Sequence, residues 1–174
     1  MADKEKHVFA VFRERGDGER AFDYLRSQGY THDDIHVMIS DETRARYYGD
    51  DKEAHPVGTH ATEGAAVGGA VGAATGATLA AVAAVGTSLA IPGLGLVVAG
   101  PVAAALAGAG AGAVAGGLVG ALVGLGIPES NAEAYEAALK DGGIVLGVEP
   151  KSSDDVDDIK EKFEDFNGEN ICYC

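Results

Sequence analysis

Hydrophobic and polar residues are distributed along this chain in long blocks. Two mixed segments, in which apolar residues recur at strand or helix spacing among charged ones, flank a central block without a charged residue from Gly64 to Pro128. Apolar residues at strand or helix spacing among charged ones are typical of a globular domain, whereas a helix that is apolar all round needs to be buried. We therefore divide the chain into a first half of a head, a polar connector, an apolar block and a second half of the head: residues 1–50, 51–63, 64–128 and 129–174.

The two mixed segments predict the same order of elements. The first predicts a strand, a helix and a strand at residues 7–12, 17–26 and 35–39, followed by a connector. The second begins with an extra helix, which the capping-box pattern from Ser130 to Glu133 opens. A strand at 144–148, a helix along 156–166 and a strand at 171–174 then follow.

Two strand–helix–strand units in succession predict an α+β fold of the ferredoxin-like kind, with helices on one face of an antiparallel sheet. The apolar block enters between the second and third predicted strands of this βαβ–βαβ sandwich. We expect it to form a long α-helical hairpin, from residues 62–90 and 102–125, whose link at 91–101 contains Pro92 and Pro101.

Glycines recur at every fourth residue in two rows of the apolar block. Positions four apart lie above one another on a helix, so each row predicts a groove that lets helix backbones approach closely. Because glycine disfavours an isolated helix by about 1 kcal/mol relative to alanine, such helices need a partner surface. We predict a glycine zipper that mediates self-association through Gly64, Gly68, Gly72 and Gly76 in one row, and Gly108, Gly112, Gly116, Gly120 and Gly124 in the other.

The sequence alone does not decide whether lipid or protein surrounds the hairpin. A helix of about 25 residues is about 38 Å long, which exceeds the hydrocarbon thickness of about 30 Å. However, alanine and glycine are only weakly apolar, and the flanks lack the Lys/Arg excess and aromatic belts of a membrane span. The hairpin could therefore lodge in a lipid bilayer, or pack in a soluble assembly that encloses a lipid-like ligand.

The charged residues exclude some partners. The 27 acidic and 13 basic side chains give a net charge of −14, which argues against nucleic acid and against electrostatic docking on anionic lipid. The N-terminal residues do not read as a secretory signal, and two cysteines provide no disulfide framework. These features predict a location in the cytoplasm or on the cytoplasmic face of a membrane.

Motifs of catalysis are missing from the sequence. It has no phosphate-binding G-x-x-x-x-G-K-[ST] and no G-x-S-x-G elbow, so we expect neither an enzyme nor a cofactor. Cys172 and Cys174 lie two apart on a predicted strand and hence on one face, where they could bind a soft metal or serve a redox-responsive regulator. One pair is too few for a closed zinc site, and two small residues in an ordinary strand is the simpler interpretation.

The chain resembles bacterial general stress proteins of the heat-induced, YflT-like type. The resemblance covers most of the chain and rests on KHVFAVFRERGDGERAFDYLRSQGY, IHVMISD and GIPESNAEAYEAALKDGGIVLGVEP, with a Gly/Ala-rich insert between them. It implies a stress-linked protein with no enzymatic residues to carry over. The sequence thus predicts a non-enzymatic, self-associating structural protein at a membrane, with a soluble oligomeric carrier as the alternative.

Overall fold

The computed structural model describes residues 6–31, 33–48, 89–91, 96–100, 103 and 111–174. Six strands and five helices lie within these ranges. The strands are β1 (Val8–Phe12), β2 (Ile35–Ser40), β3 (Leu89–Ile91), β4 (Leu96–Ala99), β5 (Ile144–Val148) and β6 (Glu169–Tyr173). The helices are α1 (Arg15–Ser27), α2 (Asp41–Tyr48), α3 (Ala111–Gly124), α4 (Glu129–Lys140) and α5 (Ser153–Asp165).

The strands form one antiparallel sheet in the order β3-β4-β2-β5-β1-β6. Strand β5 lies between β1 and β2, with Val8 opposite Val148 on one side and Ile35 opposite Val148 on the other. Helix α1 connects β1 to β2, and α5 connects β5 to β6, so both predicted strand–helix–strand units are present in one sheet. The predicted α+β class is confirmed.

Side chains alternate between the two faces of the sheet, as the pleat requires. Val8, Ala10 and Phe12 of β1 lie in one apolar cluster, which includes Phe22 of α1 and Phe163 of α5. The intervening residues of β1 belong to a second cluster on the opposite face, which α3 and α4 cover. The sheet is therefore the middle of three layers.

The α1 and α5 layer forms where the sequence predicts it. Apolar residues three and four apart give α5 one buried stripe, of Val156, Ile159 and Phe163. Its first turn is capped by Ser152, whose side chain accepts a hydrogen bond from the backbone N–H of Asp155. The extra helix begins differently from the prediction, because Pro128 precedes α4 without a side-chain cap and Ser130 lies inside its first turn.

The structure departs from the predicted helical hairpin in two places. Residues 89–91 and 96–99, predicted as a helix end and a link, are strands, and β4 pairs with β2. The second predicted helix is described only from Ala111, and Gly117 interrupts it with a φ of 63°. Outside the hairpin, residues 41–48, for which the sequence predicts neither a helix nor a strand, form α2. The first predicted helix lies outside the described residues up to residue 88.

Candidate functional site

Helix α3 lies on the face of the sheet opposite α1 and α5. Its inner side buries Leu118, Ala121 and Leu122 in the second apolar cluster, next to Tyr135 and Leu139 of α4. These spacings of three and four residues direct one stripe of α3 toward the sheet. Gly120 and Gly124 lie off this stripe and face away from the sheet.

That outer side is apolar and open. Gly120 and Gly124 are exposed, Val123 is 42% exposed, and Val119 is partly buried. A Cβ atom built on either glycine would meet nothing within 4 Å among the described residues. We call Gly120, Val123 and Gly124 the outer face of α3; Val119 borders it and packs partly against the second apolar cluster. It is a surface on which a second helix backbone could approach closely.

The structure accounts for only part of the predicted glycine rows. The row from Gly64 to Gly76 and the first glycine of the second row, Gly108, lie outside the described residues. Gly112 and Gly116 belong to α3 before its break, and Gly120 and Gly124 follow it. Because Gly117 has non-helical backbone angles, the second row is not one continuous helical groove. The spacing alone gave no sign of this break.

Cys172 and Cys174 lie on the same side of β6, as their spacing predicts, and the structure joins their sulfur atoms in a disulfide. The expectation that the chain forms no disulfide framework is thus corrected at this one position. Sulfurs bonded to each other are not thiolate ligands, and the described residues contain no group of three or more His, Cys, Asp or Glu side chains that could hold a metal ion.

A group of aromatic rings lies beside the cysteines. His7 and His36 have ring centroids 4.7 Å apart, and the ring of Phe9 stacks on His36 at 5.6 Å. Phe9 and His36 lie on either side of Gly147 in the sheet, and the ring of Phe9 occupies the space that a Cβ of Gly147 would need. Burial, and next the neighbouring His7, lower the pKa of His36 to about 3, so this imidazole is neutral at pH 7.

On the other face of the sheet, Tyr30 links the two halves of the chain. Its hydroxyl donates to Asp155 at 2.8 Å, and the ammonium of Lys151 lies 4.5 Å from its ring centroid. Burial, with the hydrogen bond to Asp155, raises the pKa of Tyr30 to about 12, and the same bond lowers the pKa of Asp155. The recess here offers about 60 Å³, far below the 300–1,000 Å³ of ordinary ligand pockets, so we assign this network to folding.

Within the described ranges, no helix is both long enough and apolar enough to cross a membrane. The chain matches no protein-family model, no curated protein and no solved structure.

Sequence reasoning missed the neighbourhood of the cysteines. His7 and Cys174 exchange two backbone hydrogen bonds, from the N–H of His7 at 2.7 Å and from the N–H of Cys174 at 3.0 Å. The two residues are distant in the sequence, and only the register of β1 against β6 places them side by side. The five histidines have no metal-binding spacing along the chain, so the sequence contains no signal that singles out His7.

Proposed function

We propose that this protein is a self-associating structural protein, in which the outer face of α3 packs against the same face of a second copy. The observation that carries the proposal is an exposed apolar helix face lined by glycines four residues apart. Exposed contiguous apolar surface on a soluble protein marks a site of association, and small residues permit close contact of backbones. The stress-linked role that the resemblance implies belongs to this proposal, and no catalytic group is needed for it.

A ferredoxin-like arrangement of the head is part of the same proposal. The strand order β6-β1-β5-β2, with α1 and α5 on one face, supports it, because each helix connects two parallel strands that flank a third. Strands β3 and β4 extend this sheet beyond β2, so the chain that leads to α3 is attached to the sheet edge. In this arrangement the sheet holds α3 with Gly120 and Gly124 outward.

A second copy is a better occupant of the outer face than a bilayer. The net charge of −14 repels anionic lipid. A glycine-lined face also gives lipid tails little side-chain surface to bind, whereas two such faces bring backbones into contact. Membrane association and the enclosed apolar ligand are kept as outcomes of the test.

The test replaces Gly120 with leucine and measures two quantities. A side chain at this position meets nothing within the described chain, and leucine favours a helix over glycine by up to about 1 kcal/mol. The fold should therefore be as stable as before, or more so, in a urea titration. If two copies meet at this face, the leucine separates their backbones, and native mass spectrometry should show the oligomer of the natural protein reduced to monomer.

Gly16→Leu is the matched control. Gly16 is exposed on α1, nothing lies within 4 Å of its Cβ position, and it is on the opposite face of the sheet. Gly16→Leu should leave the oligomer intact, which separates the loss of a groove from a general effect of added leucine. A monomeric natural protein, or an oligomer that Gly120→Leu leaves unchanged, would refute the proposal. Flotation with phosphatidylcholine vesicles, or a co-purifying apolar molecule in the native mass, would replace it with the bilayer or carrier alternative.

A further inference from the structure

The disulfide between Cys172 and Cys174 closes a loop of very few residues. The entropy that a crosslink removes from the unfolded chain decreases with loop length, so a bond between residues two apart constrains that state little. Strand β6 is also held by other contacts. The guanidinium of Arg13 donates to Glu169 at 2.8 Å, and the hydroxyl of Tyr135 donates to the backbone carbonyl of Asn170 at 2.9 Å. The bond is therefore not needed to keep β6 in the sheet.

The pair lies at an edge of the described sheet and is flanked by a histidine. Because His7 and Cys174 exchange two backbone hydrogen bonds, they form a directly opposed pair, and their side chains project from the same face. The ring contacts of His7 with Phe9 and His36 confirm that its side chain lies on that face. Cys172 is 8% exposed, whereas Cys174 is only partly buried, so Cys174 is the sulfur that a second molecule reaches first.

We propose that Cys172 and Cys174 form a redox-active pair that exchanges its disulfide with the dithiol of another molecule, with His7 as the neighbouring base. The thiolate of the incoming dithiol attacks the sulfur of Cys174. A mixed disulfide forms, the Cys172–Cys174 bond breaks, and Cys172 leaves as a thiolate that takes up a proton. The second thiol of the dithiol then attacks the mixed disulfide and releases Cys174.

The exchange balances with the dithiol as the only co-reactant. The protein disulfide gains two electrons and two protons and becomes two thiols, while the dithiol loses the same and becomes a disulfide. His7 acts on Cys174. The imidazole donates a hydrogen bond to the Cys174 thiolate when the mixed disulfide is cleaved, and in the reverse direction it accepts the proton of the Cys174 thiol before that thiol attacks a disulfide. Since other contacts hold β6, both thiols stay on one face and can close again.

The experiment follows the free thiols of the folded full-length protein in dithiothreitol buffers of defined redox state. Thiols are trapped with a maleimide and counted by mass. We expect no label on the oxidised protein, two labels after reduction, and full reclosure in oxidised dithiothreitol. The thermal unfolding midpoint should be nearly the same in both forms, because the bond is not needed to hold β6.

His7→Gln tests the base and Lys6→Gln is its matched control. Lys6 is the adjacent residue and lies 5.4 Å from the ring of Tyr173, whose side chain is on the opposite face from the cysteines. His7→Gln should slow both directions by about tenfold or more, a smaller effect than the roughly 10²–10⁴-fold that a positioned acid–base group typically contributes, without lowering the thermal midpoint. Lys6→Gln should match the natural protein.

Two results would overturn the proposal. One is a disulfide that dithiothreitol cleaves only as the protein unfolds in urea, which would make the bond structural. The other is an exchange rate in His7→Gln equal to that of Lys6→Gln, which would leave the cysteines without a neighbouring base. Neither result depends on self-association, because the rates are compared at one protein concentration with the oligomeric state recorded for each variant.

Discussion

Gly147 is the position at which the fold depends most directly on the absence of a side chain. It lies in β5 opposite Phe9 of β1, and a Cβ built on it would be 2.2 Å from Cε1 and 2.3 Å from Cδ1 of that ring. Phe9 has little freedom to move, because it is 2% exposed, stacks on His36 at 5.6 Å and lies 6.2 Å from the ring of Tyr135. The ring therefore packs on the bare backbone of β5.

Gly147→Ala forces this ring out of its place. Overpacking of a filled core costs about 1–3 kcal/mol, and the upper half of this range is expected here because a contact of 2.2 Å has to be relieved through a buried ring. The alanine itself favours the strand over glycine, which offsets part of the cost. We expect a net loss of about 1–2 kcal/mol in the free energy of unfolding from urea titration, equal to about 2–8 °C in the thermal midpoint.

A double-mutant cycle separates this mechanism from a general intolerance of substitutions in β5. Phe9→Leu removes the ring, so Gly147→Ala should be nearly neutral, or stabilising, in that background, with a coupling energy of about 1 kcal/mol or more. Gly18→Ala is the matched control, because its nearest neighbour is the Cδ1 of Ile144 at 3.3 Å, a flexible group that needs to move only slightly. If Gly147→Ala lowers the free energy of unfolding equally with and without the Phe9 ring, the reasoning is wrong.

Two further predictions concern buried polar groups in the same layer. Tyr135→Phe removes the hydrogen bond from a fully buried hydroxyl to the backbone carbonyl of Asn170 and should cost about 0.5–1.5 kcal/mol in urea titration; an unchanged midpoint would contradict it. Since the pKa of His36 is about 3 in the fold and about 6.5 when unfolded, the unfolded chain binds one more proton between these values, and stability is lost as pH falls from 6.5. His36→Phe should abolish this pH-dependent loss of stability, which approaches about 1.4 kcal/mol per pH unit. If the free energy of unfolding falls equally in both proteins from pH 6.5 to 4.5, His36 titrates normally and the prediction is wrong.

The elements that the sequence predicts correctly have either a clear period or a composition typical of one structure. Helix α5 has apolar residues at helical spacing, and β1 is a short β-branched and aromatic run, which favours a strand although both of its faces are apolar. Strand β4 was missed because Leu96–Ala99 is apolar on both faces and lies in a run of alanine and glycine, where spacing cannot distinguish a buried strand from a helix. The segment forms a strand because β2 has an edge that β5 leaves unpaired, and β4 pairs with that edge. This edge exists only in the assembled sheet.

Helix α2 had a signal that the apolar pattern does not include. The hydroxyl of Ser40 accepts a hydrogen bond from the backbone N–H of Thr43 at 3.0 Å, and Asp41 and Glu42 lie in the first turn. A serine followed by two acids is a helix start, although the helix is too polar to show a stripe. The pairing of His7 with Cys174 had no such signal, because it depends on the register of two strands from opposite ends of the chain.

The charge distribution favours one of the ways in which two copies could associate. The first turns of α5 carry Asp154, Asp155, Asp157 and Asp158. On the other face of the sheet, α3 has no charged residue, and α4 beside it carries three glutamates and one lysine. Two copies with a net charge of −14 each repel one another most strongly where their acidic helices approach, and least where their uncharged helices do. In the proposed assembly, contact through α3 would keep the aspartates of α5 of two copies apart, with a full sheet and a helix layer of each copy between them. Gly120 and Gly124 would leave room for the two helices to approach, and the aspartates of α5 would disfavour contact through the opposite face.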